Sequence, residues 1–146
     1  MSIANRGIDF GPPHFKIAIH AIVWLAKSGG ILSSAMIASE VDSHATFLRR
    51  VLQALASAGI VESKGGREGG YMLNKPPAEL TLGDIYNAVA IVGREPLEEG
   101  NCGGQAGEQL DLELEKILRE TEQHTIQYLH QFTIAYVMSL VDFFQI

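Results

Sequence analysis

A mainly α-helical fold with a single small β-hairpin is predicted for this chain of 146 residues, and three features predict it. Three short segments of the first half and one long segment of the second repeat apolar residues at helical spacing. Between them, "IVESK" and "GYMLN" are short runs of strand formers, joined by the loop "GGREGG" and stopped by Pro76 and Pro77. Three helices, a hairpin, a further helix and a long final helix, in that order, describe a winged helix-turn-helix head followed by a C-terminal dimerisation helix.

The first helix is expected from about His14 to Lys27. Prolines stand at its start, Gly29 and Gly30 suit its C-cap, and Phe15, Ile19, Ile22, Val23 and Ala26 follow helical spacing. A second, short helix is expected in "SSAMIASEV", with Ser33 or Ser34 as N-cap and Met36, Ile37 and Val41 facing inward, before Asp42 and Ser43 turn the chain. The third, "HATFLRRVLQALASAG", is capped by Ser43, turns Phe47, Leu48, Val51, Leu52 and Leu55 inward, and stops at Gly59. That register leaves His44, Thr46, Arg49, Arg50 and Gln53 on its outward surface. Arginine and glutamine reach phosphates and base edges when such a helix enters the major groove of double-stranded DNA. An ordinary solvated face is the alternative reading, since both are good helix formers.

The hairpin adds Lys64 and Arg67 on a glycine-rich tip, where an unobstructed backbone could lie along phosphates. A surface hairpin whose glycines serve only its turn is the plainer reading. A fourth helix, "LTLGDIYNAVAIV", is capped by Thr81, with Asp84 at N3 completing a capping box and Leu82, Ile85, Tyr86 and Val89 packing on the head. From Glu108 a long pattern places Leu110, Leu114, Ile117, Leu118, Thr125, Tyr128, Leu129 and Phe132 near a period of 3.6. So long a stripe needs a second surface to cover it, and a two-fold copy of the chain is the economical one. "TIAYVMSLVDFFQI" is expected to end in a short packed helix.

The formal net charge is −6, but it is unevenly spread: residues 1–75 hold eight basic against five acidic residues, and residues 76–146 hold three against twelve. A mildly basic first half on a strongly acidic second half suits a DNA-reading head on an acidic stalk. No apolar stretch approaches the roughly 20 residues of a membrane span, and "MSIANRGIDFGPPHF" has no signal-peptide pattern, so a cytoplasmic chain without a membrane partner is expected. "GGREGG" lacks the ending and context of a nucleotide loop. His14 and His20, and likewise His124 and His130, sit six apart rather than at metal-pair spacing, and no acid, base or nucleophile constellation is visible. Neither metal, cofactor nor enzymatic activity is expected.

With these residues in place, "FLRRVLQALASAGIVESK" resembles the recognition helix and first wing strand of the Rrf-two family of bacterial winged helix-turn-helix transcriptional regulators. "GGYMLNKPPAELTLGDIYNAVA" resembles that family's second strand, proline step and following helix. The likeness is close over roughly residues 15–93 and extends beyond only as a helical pattern. It implies a repressor bound as a homodimer to a pseudo-palindromic promoter operator. Two departures stand out: Gly65 replaces the usual wing arginine and Glu68 a usual glycine, with the basic residue moved to Arg67, and the usual basic N-terminal start is missing. Iron–sulfur members carry three cysteines in the loop before the long helix, whereas this chain has only Cys102. Cys102 is therefore a candidate redox residue answering a small oxidant, or else an unreactive thiol beside another effector's site. The expected organisation is a DNA-binding head over 1–93, an acidic glycine-rich loop with Cys102 over 94–107, and a helical dimerisation segment over 108–146. A winged-helix module that binds protein instead of DNA is the rival function.

Overall fold

The computed structural model describes residues 14–41, 45–67, 69–90, 92 and 104–143. Among the described residues six helices and one hairpin follow in the expected order: α1 (Phe15–Ser28), α2 (Ser34–Val41), α3 (Ala45–Ser57), β1 (Val61–Lys64), β2 (Gly70–Leu73), α4 (Leu82–Val89), α5 (Gly104–Leu129) and α6 (Ile134–Ser139). The helix ends follow local chemistry. Gly29 takes φ +69° and donates its N–H to the Leu25 carbonyl, closing α1. Ser33 Oγ accepts the Met36 N–H at the start of α2. Thr81 and Asp84 form the reciprocal capping box of α4, each side chain accepting the other's backbone N–H.

One core unites these elements. Ala18, Ala21, Ile22 and Leu25 of α1 meet Ile37 of α2, Leu48, Val51, Leu52 and Leu55 of α3, and Ile85, Tyr86 and Val89 of α4. Phe15 stacks edge-on to Tyr86 with ring centroids 5.2 Å apart. Two expected core residues are not in it. Met36 is 54% exposed, because the eight-residue α2 directs Ile37 inward and the side chain one step round the helix points away. Phe47 is 41% exposed at the first turn of α3, its ring 4.9 Å from that of His14 at the edge of α1.

The hairpin is antiparallel, pairing Val61 with Leu73 and Lys64 with Gly70. Leu32, in the connection between α1 and α2, bonds both ways with Tyr71, so the head holds the wing through a third short stretch of backbone. At Gly70 a Cβ would collide with the Leu32 carbonyl, so this glycine is required for that approach.

Helix α5 starts at Gly104, earlier than the pattern indicated, and is about 39 Å long at 1.5 Å per residue. Only its C-terminal part packs on the head: Ile126 is buried against it, and Glu122 accepts a 3.1 Å bond from the Tyr86 hydroxyl. Leu80, Thr81 and Leu82 run antiparallel to Phe132, Thr133 and Ile134, with the Leu82 N–H donating to Phe132 O and the Ile134 N–H to Leu80 O, both at 2.8 Å. This backbone clip fixes where α5 leaves the head.

Candidate nucleic-acid interface

The burial of Leu48, Val51, Leu52 and Leu55 fixes the rotation of α3 and leaves Arg49, Arg50 and Gln53 exposed on its far side. α2 and α3 form the helix-turn-helix; His44 and the Thr46 side chain lie outside the described residues. Arg50 and Gln53 also border a cleft of about 510 Å³ between α3 and α4, with Ser57 and Asn87 on its walls. Asn87, exposed on α4 beside this face, was not picked out from the sequence, where it reads as one polar residue of an amphipathic helix.

The wing carries its charges differently from the expectation. Lys64 is not at the tip: it is the last residue of β1, and its Nζ lies 3.0 Å from Glu62 Oε1 on the same strand. Such an exposed pair is worth little and yields to a phosphate at small cost. Arg67 is exposed in the turn itself, with no ion-pair partner among the described residues. Gly65 and Gly66 beside it face open space, Gly66 with φ +92°, whereas Gly69 and Gly70 are crowded by the chain's own backbone. Half of the loop's glycines therefore serve the hairpin and half leave its tip unobstructed.

On α5 the apolar residues divide into two faces. Glu122, Ile126, Leu129 and His130 turn towards the head, roughly 140° round the helix from Leu110, Leu114, Ile117 and Tyr128. The second face is uncovered: Ile117 is 59% exposed, Leu118 64% and Tyr128 60%. Thr121 and Thr125, on the same face, return their hydroxyls to the carbonyls of Ile117 and Thr121. Phe132 is half-buried and bridges Tyr128 and Tyr136, with centroids 5.2 and 5.9 Å away. The sequence pattern merged these faces and passed over Ile126; its i, i+4 relation to Glu122 and His130 was the signal that could have separated them.

His130 Nδ1 stands 2.8 Å from Thr81 Oγ1 and 3.8 Å from Asp84 Oδ1, which joins the end of α5 to the cap of α4. This histidine therefore serves packing and capping. No group of three or more metal-ligating side chains occurs among the described residues.

A helix-turn-helix with a basic, exposed recognition face and a hairpin wing defines the class of winged-helix transcriptional regulators. Within that class the chain belongs to the Rrf2 (Rrf-two) family: the family model, described as an iron-dependent transcriptional regulator, matches residues 13–140. Among relatives, it is 31% identical over 113 residues to YwgB of Bacillus subtilis (strain 168), provisionally named an HTH-type transcriptional regulator, covering 75% of this chain and 70% of that one. To the HTH-type transcriptional regulator IscR of Cereibacter sphaeroides it is 29% identical over 121 residues, covering 80% and 78%. Of solved structures, CymR, the global cysteine regulator of B. subtilis, superposes with a TM-score of 0.58 at 25% identity over 89% of this chain and 96% of that one.

The donor set does not fit an iron–sulfur centre of the family's three-cysteine kind, because the sequence holds a single cysteine. Cys102 itself, and the loop around it, lie outside the described residues. No helix among the described residues is long and apolar enough to cross a membrane.

Proposed function

We propose that the protein is a homodimeric repressor that occupies a pseudo-palindromic promoter operator, each head placing α3 in a major groove and its wing along the neighbouring phosphates. The observation that carries this reading is the pairing of an exposed basic α3 and wing with an uncovered apolar face on α5, in a chain of the Rrf2 family. Residues 1–93 then act as the DNA-binding head and 108–146 as the dimerisation segment, with Leu110, Leu114, Ile117, Leu118, Tyr128 and Phe132 at the interface.

Roles divide by chemistry. Arg49, Arg50 and Gln53 are the base- and phosphate-reading side chains of α3, Arg67 is a pure phosphate contact, and Lys64 joins it after exchanging Glu62 for a phosphate. Arg67→Ala is expected to weaken binding to all sequences alike and to flatten the salt dependence by about one phosphate contact. Arg49→Ala is expected to cost about 1–3 kcal/mol on the operator and to relax base preference. Gel shifts on the protein's own upstream region at two salt concentrations measure both. Parent-like binding by Arg49→Ala, Gln53→Ala and Arg67→Ala would remove this surface from the proposal.

Cys102 is proposed as the input. Oxidation of its thiolate by peroxide gives a sulfenic acid, the peroxide being reduced to hydroxide, and the added polar group alters the loop that feeds α5. The solved structures similar to this chain include an oxidized form of Staphylococcus aureus CymR, at 25% identity and a TM-score of 0.56. Cys102→Ser is expected to hold the operator under peroxide while the parent releases it; equal release by both removes the thiol from the mechanism.

A further inference from the structure

A cavity of about 580 Å³ opens between α1 and α2, with no residue of α3 or α5 in its lining. Its size lies within the range of small-molecule sites. Trp24 and Lys27 of α1 form one wall, Leu32 lies in the connection, and Met36, Ser39 and Glu40 of α2 form the other. Met36, left exposed because α2 directs Ile37 inward, stands on this wall.

The charge at the cavity is specific. Lys27 Nζ lies 4.9 Å from the Trp24 ring centroid and 4.7 Å from that of Phe143, so two aromatic rings hold the ammonium without neutralising it. No carboxylate among the described residues lies within ion-pairing distance of Lys27. Glu40 contributes the only other formal charge of the lining, and it disfavours a second negative group on any occupant. Indole, leucine and methionine surfaces suit a flat or branched apolar body, and Ser39 adds a hydroxyl.

We propose that this cavity binds a small monocarboxylate with an apolar body, its carboxylate on Lys27 and its body between Trp24, Leu32 and Met36. The site stands whether or not the operator model is correct, because binding is read without DNA. α2 packs on α1 through one side and on α3 through another, so the occupant lies one helix away from the DNA-facing surface.

Trp24 is the only tryptophan of the chain, so its emission reports this cavity alone. The parent protein is titrated with 4-phenylbutyrate, with octanoate, and with the uncharged amide of each, following tryptophan fluorescence and, independently, heat by calorimetry. A saturable change is expected with at least one carboxylate, about tenfold tighter than with its amide. Lys27→Met is expected to remove that tenfold preference while leaving amide binding in place, and Lys16→Met, at an exposed lysine on the same helix, to change neither. Thermal unfolding confirms that the variants are folded. Absence of saturable binding by every probe, equal affinity for acid and amide, or an unchanged preference in Lys27→Met would each overturn the proposal.

Discussion

Ile117→Glu is expected to convert the protein into a folded monomer that has lost operator binding by two orders of magnitude or more. The side chain is 59% exposed in a single chain and touches no part of the head core, so a charge there costs the isolated protomer little. In the proposed homodimer the new carboxylate would be held unpaired against hydrocarbon in the apolar seam between the two α5 helices. Joining two heads makes the second half-site contact intramolecular, a gain of about 10²–10⁴ in affinity that vanishes with the dimer. Sedimentation at micromolar concentration and a gel shift on the same samples check both halves. A parent protein that sediments as a monomer, or an Ile117→Glu protein that stays dimeric, excludes α5 as the interface. Tyr128→Asp, at the other end of the stripe, is expected to act in the same way.

Gly83→Ala is expected to destabilise the fold by about 1–3 kcal/mol, the scale of overpacking in a tight interior. The sign is the informative part, because glycine to alanine within a helix ordinarily stabilises by about 0.5–1 kcal/mol. Here the added Cβ would lie 2.6 Å from both Cγ and Nδ1 of His130. The ring cannot simply retreat, since Nδ1 is bonded to Thr81 Oγ1 at 2.8 Å in the cap of α4. His130→Ala in the same chain removes the obstacle, so the double variant is expected to recover most of the loss despite lacking that bond. Denaturant unfolding of the two single variants and the double variant decides it, and a Gly83→Ala protein more stable than the parent contradicts the geometry.

Local chemistry was readable in the sequence wherever it acts over a few residues. The capping box of α4 follows from Thr81 and Asp84 three apart, the end of α1 from Gly29, and the hairpin from two β-forming runs around glycines. What depended on distant partners was not. Gly83 looks like a defect in the first turn of α4 until His130 is placed over it. Lys64 read as a tip residue because composition does not say where a strand ends. Met36 and Phe47 fit an amphipathic stripe, but the eight-residue α2 directs Ile37 rather than Met36 inward, and Phe47 stands at the first turn of α3 beside His14. The exposed character of Arg49, Arg50 and Gln53 was legible, since it follows from the buried leucines of α3. The two faces of α5 were not, because only the position of α4 distinguishes Ile126 from its neighbours.

The backbone clip between Leu80–Leu82 and Phe132–Ile134 also sets an order of assembly. Its bond from the Leu82 N–H to the Phe132 carbonyl spans 50 positions, whereas α1, α2, α3 and the hairpin meet through connections of a few residues. Closing so long a loop costs about 3–4 kcal/mol of chain entropy, repaid only after both of its sides exist. Head helices therefore condense first, and the long helix docks onto a surface that is already formed. The same join is expected to open first under mild destabilisation, ahead of the head helices. In native-state hydrogen exchange, the amides of Leu82 and Ile134 should lose protection together, ahead of those of Leu52 and Leu55.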